Sequence, residues 1–403
     1  MSITSFHYSN YPNSYNDVPP VSELANGAKV QTFSNKVVDQ QRALVSVQPS
    51  SATATTISAL AGSTVDFRLE NNIDRITSVW LRIRYSNTSG ADCAVSTADA
   101  WNSQQQIYSN NGANLLWQTT DNVEAYLNNM FLSRNEFEVL ADKRLTSVTY
   151  ATGVTTIPTG SSGYVYIPIA LPFFNACKIR PYTIDGNVLV RIQFAPSASI
   201  ISSGTMDITE TVLLLSGFYE SDEQKNMMLR EATLPKVIPY YSYQRHNETL
   251  TLAASTRYQI RLSGLVGDAN ILAFCIRSVS FISNPNAQYA FQDVENFDIL
   301  DSGNRSLTGF RLQTTEDMEL QYALQFDNLF ISNTNAYIWS FSQSPVTDTG
   351  KGSTNGFICM EGFHSLQFTT TADIIPGSYQ ILIFANAQEE LRILNAQMTS
   401  SRQ

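Results

Sequence analysis

Charge is scarce in this sequence. Asp, Glu, Lys and Arg make up 15% of its 403 residues, against roughly 25% in an ordinary soluble domain. The little charge present is one-sided: 25 Lys and Arg stand against 35 Asp and Glu, a net of −10. No basic run occurs anywhere. A phosphate backbone is held by clustered Lys and Arg, so no direct nucleic-acid binding is expected. Cysteine is scarce too, at Cys93, Cys177, Cys275 and Cys359 with no CxxC spacing. That excludes a disulfide scaffold and a zinc cluster. The four are read as small buried hydrophobes in a reducing compartment. Histidine is scarcer still: His7, His246 and His364. No G-x-S-x-G elbow and no P-loop is present, which argues against a serine-hydrolase triad and an NTPase. No run of 18 apolar residues exists, so no transmembrane helix is expected. Met1 to Phe6 shows no basic region followed by an apolar stretch, and no signal peptide is expected.

Ser, Thr, Asn and Gln fill the space that charge leaves, beside 43% hydrophobic residues. A polar, sparsely charged surface suits a protein covered by copies of itself, and also suits secreted β proteins.

The chain also repeats itself at about half its length. Arg68-Leu69, thirteen residues, then Ile83-Arg84 returns as Arg261-Leu262, thirteen residues, then Ile276-Arg277, an offset of 193. Gly163-Tyr164-Val165 returns as Gly356-Phe357-Ile358 at the same offset, and Ser63-Thr64 as Ser255-Thr256 at 192. Solenoid repeats run at roughly 20–50 residues. This period is the length of a domain, so it implies tandem duplication.

Residues 1–50 are rich in Ser, Asn, Tyr, Pro and Gln, with Lys29, Lys36 and Arg42 as their only Lys or Arg. They are read as an extended N-terminal arm that orders on contact with a neighbour, with a plain disordered terminus as the alternative. Strand signals follow. Val65, Phe67 and Leu69 alternate, as do Val79, Leu81, Ile83 and Tyr85, with Arg82 and Arg84 on the other side. Residues 163–169 and 188–194 continue the pattern, and 211–218 reads as a strand buried on both faces. In the second half the strands are 249–252, 258–262, 271–282, 322–326, 337–341, 366–370 and 379–384. One helix is expected over Asn122–Leu132, capped by Asp121, with a weaker counterpart at Gln292-Asp-Val-Glu-Asn-Phe. A second is expected over residues 221–232, where Ser221 and Gln224 fit a capping box and Pro235 ends the run. It is read as the connector. The divisions are then 1–50 arm, 51–220 first sandwich, 221–236 helical connector, 237–391 second sandwich and 392–403 tail. About seven or eight strands per half give an all-β fold: two tandem eight-stranded jelly-roll β-sandwiches with a few short helices.

This arrangement resembles the double jelly-roll major capsid proteins of tailless, membrane-containing icosahedral phages and the adenovirus-like lineage. The resemblance covers roughly residues 50–395. It is carried by the two sandwiches, the arm, the helix at Asn122–Leu132, and the run from Pro168-Ile-Ala-Leu-Pro-Phe-Phe through Ile179-Arg-Pro-Tyr to Val188-Leu-Val-Arg-Ile-Gln-Phe. It implies a non-catalytic structural role in the virion, with synthesis in a host cytoplasm. It further implies a homotrimer whose six jelly rolls make a pseudo-hexagonal capsomer tiling a shell. Neighbouring capsomers, penton and minor capsid proteins would be partners, and the arm would be the point of contact with an internal membrane. The alternative is a two-domain carbohydrate-binding or adhesin-like protein. A glycoside hydrolase is third, since no pair of facing carboxylates is selected by the sequence.

No catalytic and no cofactor-binding residue is expected. Asp293, Glu295, Asp298 and Asp301 are the candidates for a calcium site through carboxylate oxygens, although their spacing fits no EF-hand and a solvated acidic loop explains them as well. Asp121 and Glu124 are better read as helix cap and first-turn charge than as an acid–base pair. Tyr8, Tyr11 and Tyr15 in the arm, and Tyr240, Tyr241 and Tyr243 near the connector, suit interfaces as well as core filling. The sequons at Asn87, Asn247 and Asn304 are read as chance.

Overall fold

The computed structural model describes residues 41–51, 53–70, 72–119, 121–128, 142–145, 153–309, 335–342, 356–362 and 364–401, with short pieces at 22–23, 29–30, 132, 139–140, 312–313, 317 and 320. In the first half the strands of the sandwich are β1 (Gln41–Val47), β2 (Thr64–Leu69), β3 (Arg75–Ser86), β4 (Asn102–Ser109), β5 (Asn114–Gln118), β6 (Ser162–Ile169), β7 (Val188–Phe194) and β8 (Asp207–Tyr219), with short strands Cys93–Ser96, Val154–Ile157 and Ile201–Ser203 forming a separate three-stranded sheet and Ser22–Glu23 pairing with Lys29–Val30. Each is built by alternation. In β2, Val65, Phe67 and Leu69 are buried while Asp66 and Arg68 turn outward, because successive side chains on a strand point to opposite faces. The strands form two antiparallel sheets, in the orders β6-β3-β8-β1 and β2-β7-β4-β5.

The second half contains β9 (Lys236–Leu252), β10 (Arg257–Arg261), β11 (Asp268–Ser278), β12 (Val294–Leu300), β13 (Leu312–Gln313), β14 (Tyr337–Ser340), β15 (Ser365–Thr370) and β16 (Gly377–Leu394). Its sheets run β9-β16-β11-β14 and β10-β15-β12-β13. Adding eight to each label of the first half gives these orders strand for strand. The two halves are therefore the same eight-stranded jelly roll.

The repeated residues fall accordingly. Arg68-Leu69 ends β2, Arg261 ends β10 with Leu262 just beyond it, and Ile83-Arg84 and Ile276-Arg277 lie near the ends of β3 and β11. The Gly163 and Gly356 match is a coincidence. Val165 lies opposite Ile83 near the end of β3, whereas Ile358 lies opposite Ala269 at the start of β11. The true counterpart of β6 is β14.

Other expectations are corrected. Residues 41–47, assigned to the arm, form the edge strand β1, pairing with Leu213–Tyr219 of β8. Residues 392–400, assigned to a tail, complete β16 and turn back as β17 (Gln397–Ser400). The helix at Asn122 starts where expected: Asp121 accepts from the Val123 amide, and α1 covers Asn122–Leu127 with Asn128 as its cap. Residues 129–131 of the expected helix lie outside the described residues, as does the strand at 322–326. The proposed counterpart helix at 292–297 is instead the start of β12, where the backbone is drawn into the sheet against β15. The strand at 271–282 stops at Ser278 and bends into a 3₁₀ turn, Val279–Phe281. Among the helices that were not expected, besides the single turns Ile57–Leu60 and Ser197–Ile200, is α2 (Leu171–Cys177), which carries a proline in its first turn, where a missing amide costs nothing. The connector α3 (Asp222–Glu231) is as read, with the Ser221 hydroxyl accepting from the Gln224 amide.

Each sandwich encloses an apolar core, but the cores are not separate. The second takes in Trp80, Val123, Tyr126, Leu127 and Leu171 from the first half; the first takes in Tyr240, Leu391 and Met398 from the second. At the end of β8 the register shifts between Ser216 and Gly217. A Cβ on Gly217 would sit 1.9 Å from the Arg75 carbonyl oxygen, so only glycine fits there.

Candidate assembly surfaces

The most elaborate polar constellation lies between the two sandwiches. Asp121 caps α1 with one carboxylate oxygen and holds the second sandwich with the other: Arg245 Nη1 of β9 is 2.9 Å away and Arg277 Nη2 of β11 is 3.6 Å away. Behind it Tyr126 stacks on Tyr289 at 4.8 Å and meets Phe291 edge-on. Asn122 donates to Gln288 Oε1, Tyr289 donates to the Asn122 carbonyl, and Gln288 donates to the Ser199 carbonyl. Asp121 was read as a helix cap; its interdomain role had no signal in the sequence, because both arginines are more than a hundred residues away.

A second bridge is made by long strands. β9 and β16 have 17 and 18 residues, and their far halves reach across to the first sandwich. There the Tyr240 hydroxyl lies 2.7 Å from the Leu116 carbonyl, 2.7 Å from Glu389 Oε2 and 2.8 Å from Ser400 Oγ. Burial, reinforced by the Glu389 carboxylate, pushes the Tyr240 phenol well above its ordinary range. Ser109 and Asn114 both donate to the Met398 carbonyl, so β17 is fastened to the first half. Tyr240, Tyr241 and Tyr243 are all buried, Tyr240 at this joint and Tyr243 in the second core, while Tyr8, Tyr11 and Tyr15 lie outside the described residues.

The connector is anchored at its start. The buried Glu220 carboxylate is held by Arg180 at 3.0 Å and by the Tyr182 hydroxyl at 2.6 Å. Asp74 accepts from the Glu220 amide and pairs with Lys225 of α3. Beyond that anchor α3 buries none of its residues, and Met227, Leu229, Leu234 and Val237 are exposed.

The calcium candidates are dispersed along β12 and the turn after it, each carboxylate engaged locally except Glu295, which is exposed. Asp293 accepts from the Tyr337 hydroxyl and the Val294 amide. Asp298 accepts from Ser306 and Thr308. Asp301 accepts from the Gly303 and Arg305 amides, which hold it below the usual carboxylate range, the Arg305 amide foremost. Among the described residues no three His, Cys, Asp or Glu are grouped to hold a metal ion. His246 and His364 each meet a backbone carbonyl, of Ser263 and Cys359; His7 lies outside the described residues. Cys93, Cys177 and Cys275 are buried as expected, and burial pushes their thiols up. Cys359 is exposed, contrary to the reading, because it sits in a two-residue strand at the sheet margin. No helix among the described residues is long and apolar enough to cross a membrane.

No family model matches the chain, and no curated protein matches it in sequence. Solved structures do. A chain of the PBCV-1 virus capsid aligns with a TM-score of 0.68 at 11% identity, over 92% of this chain and 98% of that one. The Faustovirus major capsid protein aligns at 0.65 and 9% identity, over 90% and 92%. The mavirus major capsid protein aligns at 0.53 and 10% identity, over 94% and 93%. The likeness runs through both sandwiches, and the fold is the double jelly roll of those proteins.

Proposed function

We propose that this chain is the major building block of an icosahedral virus shell, a homotrimer whose six jelly rolls form a pseudo-hexameric capsomer. The observation that carries the reading is the identical strand order of two sandwiches locked together by a shared interface. Such a chain presents two nearly equivalent tiles in fixed relation. A head-to-tail contact that repeats from tile to tile closes into a ring when the rotation divides evenly; three chains then supply six tiles. The printed names of the structural neighbours, a virus capsid and two major capsid proteins, support the same role. The chain's chemistry in this role is non-covalent. Its partners are further copies of itself, with vertex and minor capsid proteins, and an underlying membrane met through residues 1–40, as extensions of the same reading. Its place is the virion, after synthesis in a host cytoplasm.

The test is the native mass of the purified protein by light scattering at micromolar concentration. A stable mass near three times 44.8 kDa, with hexagonal sheets or shells on imaging, is expected. A persistent monomer would sink the trimer.

A further inference from the structure

The sequence repeat places an arginine at the same point of both sandwiches, Arg68 near the end of β2 and Arg261 at the end of β10. Each is exposed on the outer face of its sheet. Their surroundings differ. Asp66 lies opposite Arg191 and Arg68 opposite Leu189, whereas the same positions in the second half pair Gln259 with Gln367 and Arg261 with Ser365. In the first half the arginine is also walled in. Asp66, Arg68, Leu189 and Arg191 form the floor of a hollow of about 220 Å³, and Ser50, Asn111 and Asn187 complete its lining.

The walls are held by the fold itself. Asn111 sits in the turn Asn110–Gly112 between β4 and β5, with a left-handed backbone at φ 55°, a conformation that asparagine tolerates. Asn187 stands just before β7. Its amide donates to Asn111 Oδ1, and the Asn111 amide donates to the Asn187 carbonyl, so each turn latches the other. The Ser50 amide donates to the Asp66 carbonyl, which ties the remaining wall to β2.

The bonds already made decide what the hollow can accept. Both Asp66 oxygens are taken by Arg191, through Nε and Nη2. Asn111 Oδ1 is taken by the Asn187 amide. The Arg68 guanidinium has no ion pair and no hydrogen bond among the described residues. It carries donors only, and the Asn111 amide group, Asn187 and Ser50 can each turn a donor toward a bound oxygen. Two arginines against one aspartate leave one positive charge here, on a chain of net charge −10. A planar guanidinium ringed by neutral donors suits an oxyanion.

We propose that this hollow binds a phosphate monoester. Arg68 grips two phosphate oxygens, Asn111, Asn187 and Ser50 serve the third, and Leu189 lies against the esterified group. The hollow is larger than a bare phosphate ion, which leaves room for that group. A soluble glycerol phosphate and the headgroup of phosphatidic acid offer the same chemistry. The site is complete within one chain, so it does not depend on the trimer.

Two measurements test it on the full-length chain: calorimetric titration with glycerol 3-phosphate, and co-flotation with phosphatidylcholine vesicles made with and without phosphatidic acid. Each is run on the wild type, Arg68→Gln, Asn187→Asp and Arg261→Gln, with an unchanged melting temperature showing that the fold survives. Saturable binding by the wild type is expected. Loss of a charge-assisted contact weakens binding at least about tenfold, and that loss is expected for Arg68→Gln. Asn187→Asp, which sets a carboxylate against the ligand and spares Arg68, is expected to weaken binding as much. Arg261→Gln is expected to bind as the wild type does. Arg68-dependent binding of glycerol 3-phosphate alone identifies a soluble ester as the ligand, and of the phosphatidic acid vesicles alone a headgroup; either supports the site. Absence of saturable binding in both measurements, or binding that survives Arg68→Gln, overturns the proposal. An equal loss in Arg261→Gln overturns it too, since surface charge in general would then be responsible.

Discussion

At Asp121 one carboxylate serves a helix terminus of one sandwich and two arginines of the other. Arg277 is almost fully buried, so removing its partner leaves a charge without compensation, which typically costs about 3–5 kcal/mol. The substitution also removes a cap worth about 1 kcal/mol. Asp121→Ala is therefore expected to lower the denaturant midpoint strongly, and Arg245→Ala, which removes only the more exposed of the two arginines, weakly. Equal effects would show that the Arg245 pair carries the stability and that neither the cap nor the buried Arg277 pair adds to it. Tyr240→Phe removes a hydroxyl that serves a carbonyl, a carboxylate and a serine at once. A loss of about 1–3 kcal/mol is expected for the groups left behind, read by urea denaturation. Burial raises the phenols of Tyr240, Tyr243, Tyr289 and Tyr337 above the ordinary value of 10.0. The folded state thus keeps protons that the unfolded state releases. Its advantage is complete below pH 10 and is lost as pH rises above it. Melting temperature is expected to fall steeply above pH 10, with phenolate absorbance of the buried tyrosines appearing together with unfolding. Their titration while the fold persists would contradict these burial assignments.

At the scale of elements, strands with simple alternation were legible from residue type alone. β2, β3 and β7 announce themselves because one face is apolar and the other is not, and β8 because its apolar run is continuous and both its faces are buried. The connector α3 was legible from Ser221, Gln224 and the acidic first turn, since capping is local chemistry. α2 was not, because Leu-Pro-Phe-Phe follows Tyr164–Ile169 as one more apolar run; the proline in its first turn was the available signal. The C-terminal residues were read as a tail because Gln397–Ser400 has no apolar pattern of its own. It becomes a strand only by pairing with Leu391–Leu394 of β16. What holds it down is again remote: the Met398 carbonyl takes hydrogen bonds from Ser109 and Asn114, and its side chain enters the first sandwich's core. Deleting residues 395–403 is therefore expected to destabilise the first sandwich, nearly three hundred residues away in sequence. Hydrogen exchange would read it as lost protection in β4 and β5. Faster exchange confined to β9 and β16 would show instead that β17 is only an appendage of its own sheet.

For the whole molecule the question is whether two sandwiches of one topology behave as two domains or as one body. Tandem domains joined by a linker with little interface unfold independently, because few contacts cross the boundary. Here each core contains side chains from the other half, and three separate polar anchors span the joint, at Asp121, Tyr240 and Met398. Exposing one core therefore uncovers apolar surface of the other. In the shell role proposed above, such coupling would keep the two sandwiches from spreading their contacts over many geometries. The four tryptophans allow a direct test. Trp80, Trp101 and Trp117 belong to the first half and Trp339 to β14 of the second. In the double variant Trp80→Phe, Trp339→Phe, which removes the tryptophan of the second half and the one that enters the second core, the fluorescence of Trp101 and Trp117 reports on the first core alone, while calorimetry reports on both. Coincidence of probes is the mark of a two-state transition. The fluorescence midpoint is expected to coincide with the heat-absorption peak, in one transition. A fluorescence change complete well before or after the heat is absorbed would mean that the joint is weaker than either sandwich.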